Sequence, residues 1–239
     1  MAKLTVQIDH IATLRAAGRA VSPEPSAVAV LAEMGGADGL SVHLHEDRRH
    51  IQDRDLRMLR RIVHTNLELK MAATSEMLGV ALNIKPDTVI LVPETREESS
   101  TVNGLDLMVH KSNVSEMINN LENSGIPIGV FIDPDPEQLK LAHQCNANTV
   151  EINTSSFCEA VTSAKRTQIF ARIVDAVKLA HRLKIRVHVG NGVGYNTIGA
   201  FRGLKEIGTF TIGHSIVSRA VLTGMEKAVR DMRRLIKEL

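Results

Sequence analysis

Two periods alternate along the chain. Val42 and Leu44 face away from Ser41, His43 and His45, and Leu67, Leu69 and Met71 face away from Glu68 and Lys70. An apolar–polar period of two predicts strands. Between such runs the apolar spacing changes. Leu56, Leu59, Ile62 and Val63 recur at helical intervals within 53–64. Read in this way, the chain predicts strands at 4–8, 39–44, 67–71, 88–92, 127–132, 149–152, 185–189 and 209–212. Helices are predicted at 26–34, 53–64, 75–82, 113–123, 136–144 and 166–183, with a last helix from 216 to the end. The stretch after the first strand, with Arg15, Gly18, Arg19, Pro23 and Pro25, reads as a loop. Residues 105–109 read as a short extra strand, and 153–165 as a loop. A poorly defined helix is placed before Gly208.

Eight strands, each followed by a helical or irregular connection, favour parallel pairing with right-handed crossovers. Eight such units in 239 residues fit a closed (β/α)8 barrel with additional short helices, forming one domain over 1–239. A doubly wound open sheet is the competing fold, and it leaves some units unexplained.

In such a barrel the chemistry sits where strands open into loops at their C-terminal ends. The polar residues there are Asp9 and His10, His43 and His45, Lys70, Glu94, Asp133, Glu151 and Asn153, His188, and His214. Parity groups them. Gln7 with Asp9, Glu68 with Lys70, Glu151 with Asn153, and Arg186 with His188 each share a strand face, and that face points into the lumen. The alternative is an internal polar filling, for example an ion pair of Glu68 with Arg186 or Lys70. Glu151 suits a base or acceptor, and His43 suits proton exchange near neutrality. Lys70 suits an anion contact, an imine with a carbonyl substrate, or a structural counter-ion. The spacing of His43, His45, His50 and His188 matches no recognised metal signature, so no metal is expected.

Two glycine groups add a different signal. Gly190-Asn191-Gly192 and Gly213-His214 follow the seventh and eighth strands. Backbone N–H groups in those loops, with the next helix N-terminus, make the usual barrel phosphate cradle. Arg15, Arg19, His45, Arg48, Arg49 and His50 offer a second anion site. Composition excludes more than it selects. The net charge of +2 gives no reason for nucleic acid, and 3% aromatics gives no stacking platform. No apolar run is long enough for a membrane span, and the N-terminal residues do not read as a signal peptide. Cys145 and Cys158 read as reduced thiols of a cytoplasmic protein.

The motifs themselves carry a resemblance. Ile8-Asp9-His10-Ile11-Ala12-Thr13-Leu14-Arg15, Val42-His43-Leu44 and Glu46-Asp47-Arg48-Arg49-His50-Ile51 resemble the pyridoxine 5'-phosphate synthase family. So do Leu91-Val92-Pro93-Glu94 with Arg96 and Glu98, Gly104-Leu105-Asp106, Phe131-Ile132-Asp133, Glu151-Ile152, Ile212-Gly213-His214 and Arg219-Ala220-Val221. The resemblance implies a barrel assembled as an octamer, with no cofactor. It also implies condensation of two phosphorylated substrates, 1-deoxy-D-xylulose 5-phosphate and 3-amino-2-oxopropyl phosphate, into pyridoxine 5'-phosphate. On the same basis His43 and Glu151 are the proton-transfer groups. Asp9, His10 and Thr101 orient substrates. His50 serves the ketose phosphate, and Gly192, Gly213 and His214 surround the amino-ketone phosphate.

The chain departs from the family pattern at several of these places. Lys70 stands for a glutamate, Asn191 for a histidine, His45 and Gly18 for arginines, and Gln7 for an asparagine. Three functions fit: a divergent synthase, a paralogue with altered phosphosugar chemistry, and a non-catalytic phosphometabolite-binding protein.

Overall fold

The computed structural model describes residues 1–94 and 103–239. Its centre is a closed barrel of eight strands in chain order, β1 to β8. They are Lys3–Gln7, Gly39–His43, Asn66–Met71, Thr88–Leu91, Ile128–Ile132, Thr149–Asn153, Arg186–Gly190 and Ile207–Ile212. Every pair is parallel, and β8 closes on β1 through Leu4 opposite Phe210. Around it lie α1 (Asp9–Ala17), α2 (Pro25–Met34), α3 (Asp53–Ile62), α4 (Ser75–Ile84) and α5 (Leu107–Asn123). They continue with α6 (Pro136–Gln144), α7 (Ser155–Glu159), α8 (Ser163–Arg182), α9 (His214–Thr223) and α10 (Met225–Lys237).

The parity seen in the sequence divides the barrel into two sides. Leu4, Val6, Val42, Leu67, Leu69, Val130 and Ile152 belong to one continuous core of buried apolar side chains beneath the helices. The opposite parity carries Thr5, Ser41, His43, Glu68, Lys70, Thr149, Glu151, Thr209 and Thr211, all buried although polar. Register stacks these groups: Ser41 lies opposite Glu68, His43 opposite Lys70, and Glu151 opposite His188. Ile90, Val92 and Phe131 form a small separate apolar cluster. Its members share the inward parity, with Ile90 opposite Lys70 and Phe131 opposite Glu151.

Four connections differ from the sequence expectation. The first loop begins as α1, because Ile11 and Ala12 are buried and Gly18 caps the end through the Leu14 and Ala16 carbonyls. Residues 105–109 contain no strand. Leu105 donates to the Phe131 carbonyl at 2.7 Å, and Asp106 then caps α5 by accepting the Met108 N–H. The loop after β6 contains α7, and α8 begins at Ser163 under a Thr162 cap. The last helix is two helices. Gly224 at φ 82° breaks it, a conformation that glycine adopts without a Cβ penalty. The irregular stretch before β8 holds one 3-10 turn, Ile198–Phe201.

Candidate active site

A cavity of about 410 Å³ opens at the C-terminal mouth of the barrel. Asp9, His10, His43, His45, His50 and Lys70 line it from β1, β2, β3 and the loops that follow them. Asn191, Gly192, Gly213 and His214 line it from the loops after β7 and β8. Most of the predicted site therefore converges, and the convergence follows from parallel closure: every strand end points to the same mouth.

At its floor, Lys70 Nζ donates to Glu151 Oε1 at 2.6 Å, with both side chains buried. Glu151 does not line the cavity; it lies behind Lys70, with Oε2 unpartnered among the described residues. Burial alone lowers the Lys70 pKa, but Glu151 and Glu68 outweigh it and hold the ammonium above its ordinary range. A raised pKa is the opposite of what an imine-forming amine requires, so the arrangement favours the counter-ion and anion-contact roles. The Lys70 ammonium also sits 5.6 Å from the Phe131 ring centre. Phe131 belongs to a quoted motif, and its inward parity was the available signal for it.

Asp9 opens α1 and ties the first strand to the second. One carboxylate oxygen accepts the His43 backbone N–H at 2.7 Å, and Gln7 Nε2 donates to the other. Burial raises the Asp9 pKa, against the lowering by those two hydrogen bonds. Burial, then the nearby His45 and Lys70, push the His43 imidazole well below its usual range. His43 is therefore neutral at pH 7, with Nε2 buried and unpartnered among the described residues. As a neutral ring it carries no fixed charge into the cavity, which it lines. The His43 and His45 ring centres lie 3.8 Å apart, and His45 Nδ1 is 3.3 Å from Glu94 Oε1.

Below this floor lies a second layer. Glu68 Oε2 is 3.8 Å from His188 Nδ1, not paired with Arg186 or Lys70 as the internal-filling alternative supposed. Burial and the Glu151 charge raise the Glu68 pKa to about 7, while burial lowers His188 to about 3. A raised folded-state pKa means that between pH ~4.5 and ~7 the folded chain holds a proton the unfolded chain has released. The resulting stabilisation is present below about pH 4.5 and is lost as pH rises through 7. Glu68→Gln removes this dependence. Urea unfolding should therefore show the variant gaining stability relative to the parent between pH 5 and pH 7.5. A difference that does not change with pH would show that Glu68 titrates normally.

The phosphate-cradle residues divide. Asn191 and Gly192 adopt positive φ, 65° and 89°, and turn the chain so that both face the cavity. Asn191 Nδ2 donates to Asn153 Oδ1 at 3.3 Å, and the Asn191 carbonyl accepts from Thr154 Oγ1 at 2.7 Å. Gly213 is the N-cap of α9, with no side-chain cap, and it lines the cavity with His214 and Ser215, so the helix N-terminus lies at the cavity wall. Gly190 does something else. It does not line the cavity, and a Cβ there would collide with Glu151 Oε1. Glycine at this position makes room for the ion pair.

The basic residues divide as well. Arg49, His45 and His50 line the cavity. Arg15 does not. Its guanidinium forks onto both Asp55 oxygens at 2.8 and 2.6 Å, and reaches the His50 carbonyl at 3.3 Å. It is a buried strut under the His50 loop, set back from the cavity lining. Arg19, exposed at φ 46°, is also off the cavity, and Arg48 pairs with Asp53 and Glu76 at the surface. Thr101, with Arg96 and Glu98, lies outside the described residues.

Comparison with known proteins gives the lineage. Residues 4–238 match the family model described as pyridoxal phosphate biosynthesis protein PdxJ. The chain is 55% identical to pyridoxine 5'-phosphate synthase of Desulforapulum autotrophicum over 239 residues, covering 100% of both chains. It is 48% identical to the enzyme of that name from Syntrophobacter fumaroxidans, and 49% to that from Thermosynechococcus vestitus, covering 99% of each chain in both cases. Among solved structures, thiamine phosphate pyrophosphorylase from Pyrococcus furiosus aligns with a TM-score of 0.61 at 16% identity, covering 99% of this chain and 96% of that one. Phosphoribosylanthranilate isomerase from Thermotoga maritima aligns at 0.63 and 10%, covering 100% of both. The distant structures share the barrel alone, whereas identity near one half along the whole length shows descent: the chain belongs to the PdxJ family of pyridoxal phosphate biosynthesis proteins.

Proposed function

We infer that the chain is a pyridoxine 5'-phosphate synthase, joining 1-deoxy-D-xylulose 5-phosphate to 3-amino-2-oxopropyl phosphate with release of phosphate and water. Full-length relatives carry that name. The observation that supports the reading is spatial: one cavity is lined by His43 and Lys70 and by two groups suited to phosphate. One is the α9 N-terminus with Gly192, Gly213 and His214. The other is Arg49 with His50.

In this reading the amine of one substrate attacks the ketone carbon of the other, and water leaves as an imine forms. His43, neutral and at the cavity wall, takes and returns protons. Lys70 donates a charge-assisted hydrogen bond to oxygens that gain negative charge. Glu151, out of contact with the cavity, holds Lys70 in place and keeps it protonated. His10 and Asp9 orient the reactants, His10 by packing edge-on against His214 at 5.4 Å. Two clamped phosphates bring the reacting nitrogen and carbon together, which accounts for much of the acceleration in such condensations.

A cytoplasmic octamer completes the reading. Among the described residues no helix is long and apolar enough to cross a membrane. Met108 and Val109 on α5 and Val221 and Leu222 on α9 are exposed, as subunit contacts require. Both cysteines are free thiols.

The test is product formation from both substrates by the purified protein, with mass spectrometric detection of pyridoxine 5'-phosphate. Enzyme-dependent product is expected. Binding of a phosphorylated substrate without product would favour the altered-chemistry paralogue or the non-catalytic binding protein, for which the Lys70–Glu151 pair is the specific argument.

A further inference from the structure

We propose that Asp133 is a positioning residue for the loop after β7: through Asn153 it holds Asn191, and with it the Asn191–Gly192 turn, in the cavity wall. The inference rests on the synthase reading and deepens it, because both turn residues line the cavity beside Gly213 and His214. Neither Asp133 nor Asn153 lines the cavity, so their influence on a bound phosphate passes through a third residue. The turn itself needs support. Asn191 is not a glycine and sits at φ 65°, a left-handed conformation that asparagine tolerates when its side chain finds a local hydrogen bond.

Three side chains form a hydrogen-bonded chain with a direction. Asn191 Nδ2 donates to Asn153 Oδ1 at 3.3 Å, and Asn153 Nδ2 donates to Asp133 Oδ1 at 2.8 Å. The direction is set from the Asp133 end. A carboxylate oxygen only accepts, so it takes the amide nitrogen of Asn153 and turns the amide oxygen the other way. That oxygen receives Asn191 Nδ2 and also the Ser155 backbone N–H at 3.1 Å. A flipped Asn191 would set one amide oxygen against another. The fold supplies the spacing. Asp133 follows β5, Asn153 ends β6 and Asn191 follows β7, and these three strands are neighbours in the barrel. Asp133 is itself anchored, because its Oδ1 also accepts the Gly104 N–H at 3.1 Å. A Cβ on Gly104 would collide with the Asp133 backbone nitrogen, so glycine there permits the approach. Thr154 supports the same turn through its backbone, donating Oγ1 to the Gly190 and Asn191 carbonyls at 2.9 and 2.7 Å. Asn153 and Thr154 are both buried, which keeps water from competing for these bonds.

The test is a double-mutant cycle read on 3-amino-2-oxopropyl phosphate, the substrate whose phosphate the synthase reading places beside Gly192, Gly213 and His214. Asp133→Ala should raise its KM by about 10-fold. The kcat, and the KM for 1-deoxy-D-xylulose 5-phosphate, should change by less than about 3-fold. Asp133→Asn, which keeps one acceptor oxygen, should restore most of the affinity. In an Asn191→Ala background, Asp133→Ala should add less than about 2-fold. An equal effect in both backgrounds overturns the proposal, since Asp133 would then act by another route, such as Gly104. A fall in kcat with KM unchanged, or a parallel rise in both KM values, also overturns it. If Asp133→Ala does not fold, Asn153→Ala removes the middle link and takes its place in the cycle, with the same expectation. Calorimetric binding of 3-amino-2-oxopropyl phosphate alone repeats the cycle without turnover. Weakened binding that depends on Asn191, in a protein that forms no product, supports the positioning role and sinks the synthase reading alone. Product formation without coupling between Asp133 and Asn191 sinks only the positioning role.

Discussion

Lys70→Met should destabilise the protein by about 3–5 kcal/mol and lower turnover by about 10²–10³-fold. The reason is the position of Glu151, which is 0% exposed and has its Oε1 held by Lys70 at 2.6 Å. Without the ammonium, two carboxyl groups, Glu68 and Glu151, face each other's charge in a buried lumen, and at least one must take a proton to remain there. Urea unfolding reads the first effect and steady-state turnover reads the second. The double variant Lys70→Met/Glu151→Gln separates them. It removes both charges together, so stability should return toward the parent while turnover stays low. Recovery of both would show the pair to be structural only. No loss of stability in the single variant would show that the Lys70–Glu151 pair does not stabilise the fold.

Asp55→Asn should cost a comparable 3–5 kcal/mol or so, far from any reacting atom. Asp55 accepts both prongs of the Arg15 fork at 2.8 and 2.6 Å and, through the same carboxylate, the Gln52 backbone N–H at 3.0 Å. The substitution turns one acceptor oxygen into a donor aimed at a guanidinium that is 4% exposed. The consequence reaches the cavity because Arg15 also holds the His50 carbonyl at 3.3 Å. Loosening that strut should raise KM for the substrate phosphate bound at the Arg49–His50 end by on the order of 10-fold to 100-fold, with a smaller change in kcat. Thermal unfolding and the KM-to-kcat split check the two parts. An unchanged KM would show that His50 is positioned without Arg15.

These two cases mark how far the chain could be read before its structure. Strand positions were legible because a side chain's face depends only on its own parity. Leu67, Leu69 and Met71 could not share a face with Glu68 and Lys70 in any extended strand. The mouth of the barrel was legible for the same local reason, since strands that all run parallel end together. The quoted motifs carried the family, and comparison along the whole chain bears it out.

What local pattern could not show was the partner of each polar group. Lys70 shared a face with Glu68 and meets Glu151, 81 residues away. Arg15 looked like an anion contact because it is basic and lies beside a glycine-containing turn, but α1 directs it to Asp55. Gly190 looked like part of a phosphate loop, whereas its missing Cβ is the space occupied by Glu151. The sequence alone determined which residues face the lumen and that their strand ends share one mouth. The tertiary structure decided which of them pair, which stay open to a ligand and which only support the others. Pairing depends on register and barrel closure, and those are set by the packing of all eight strands at once.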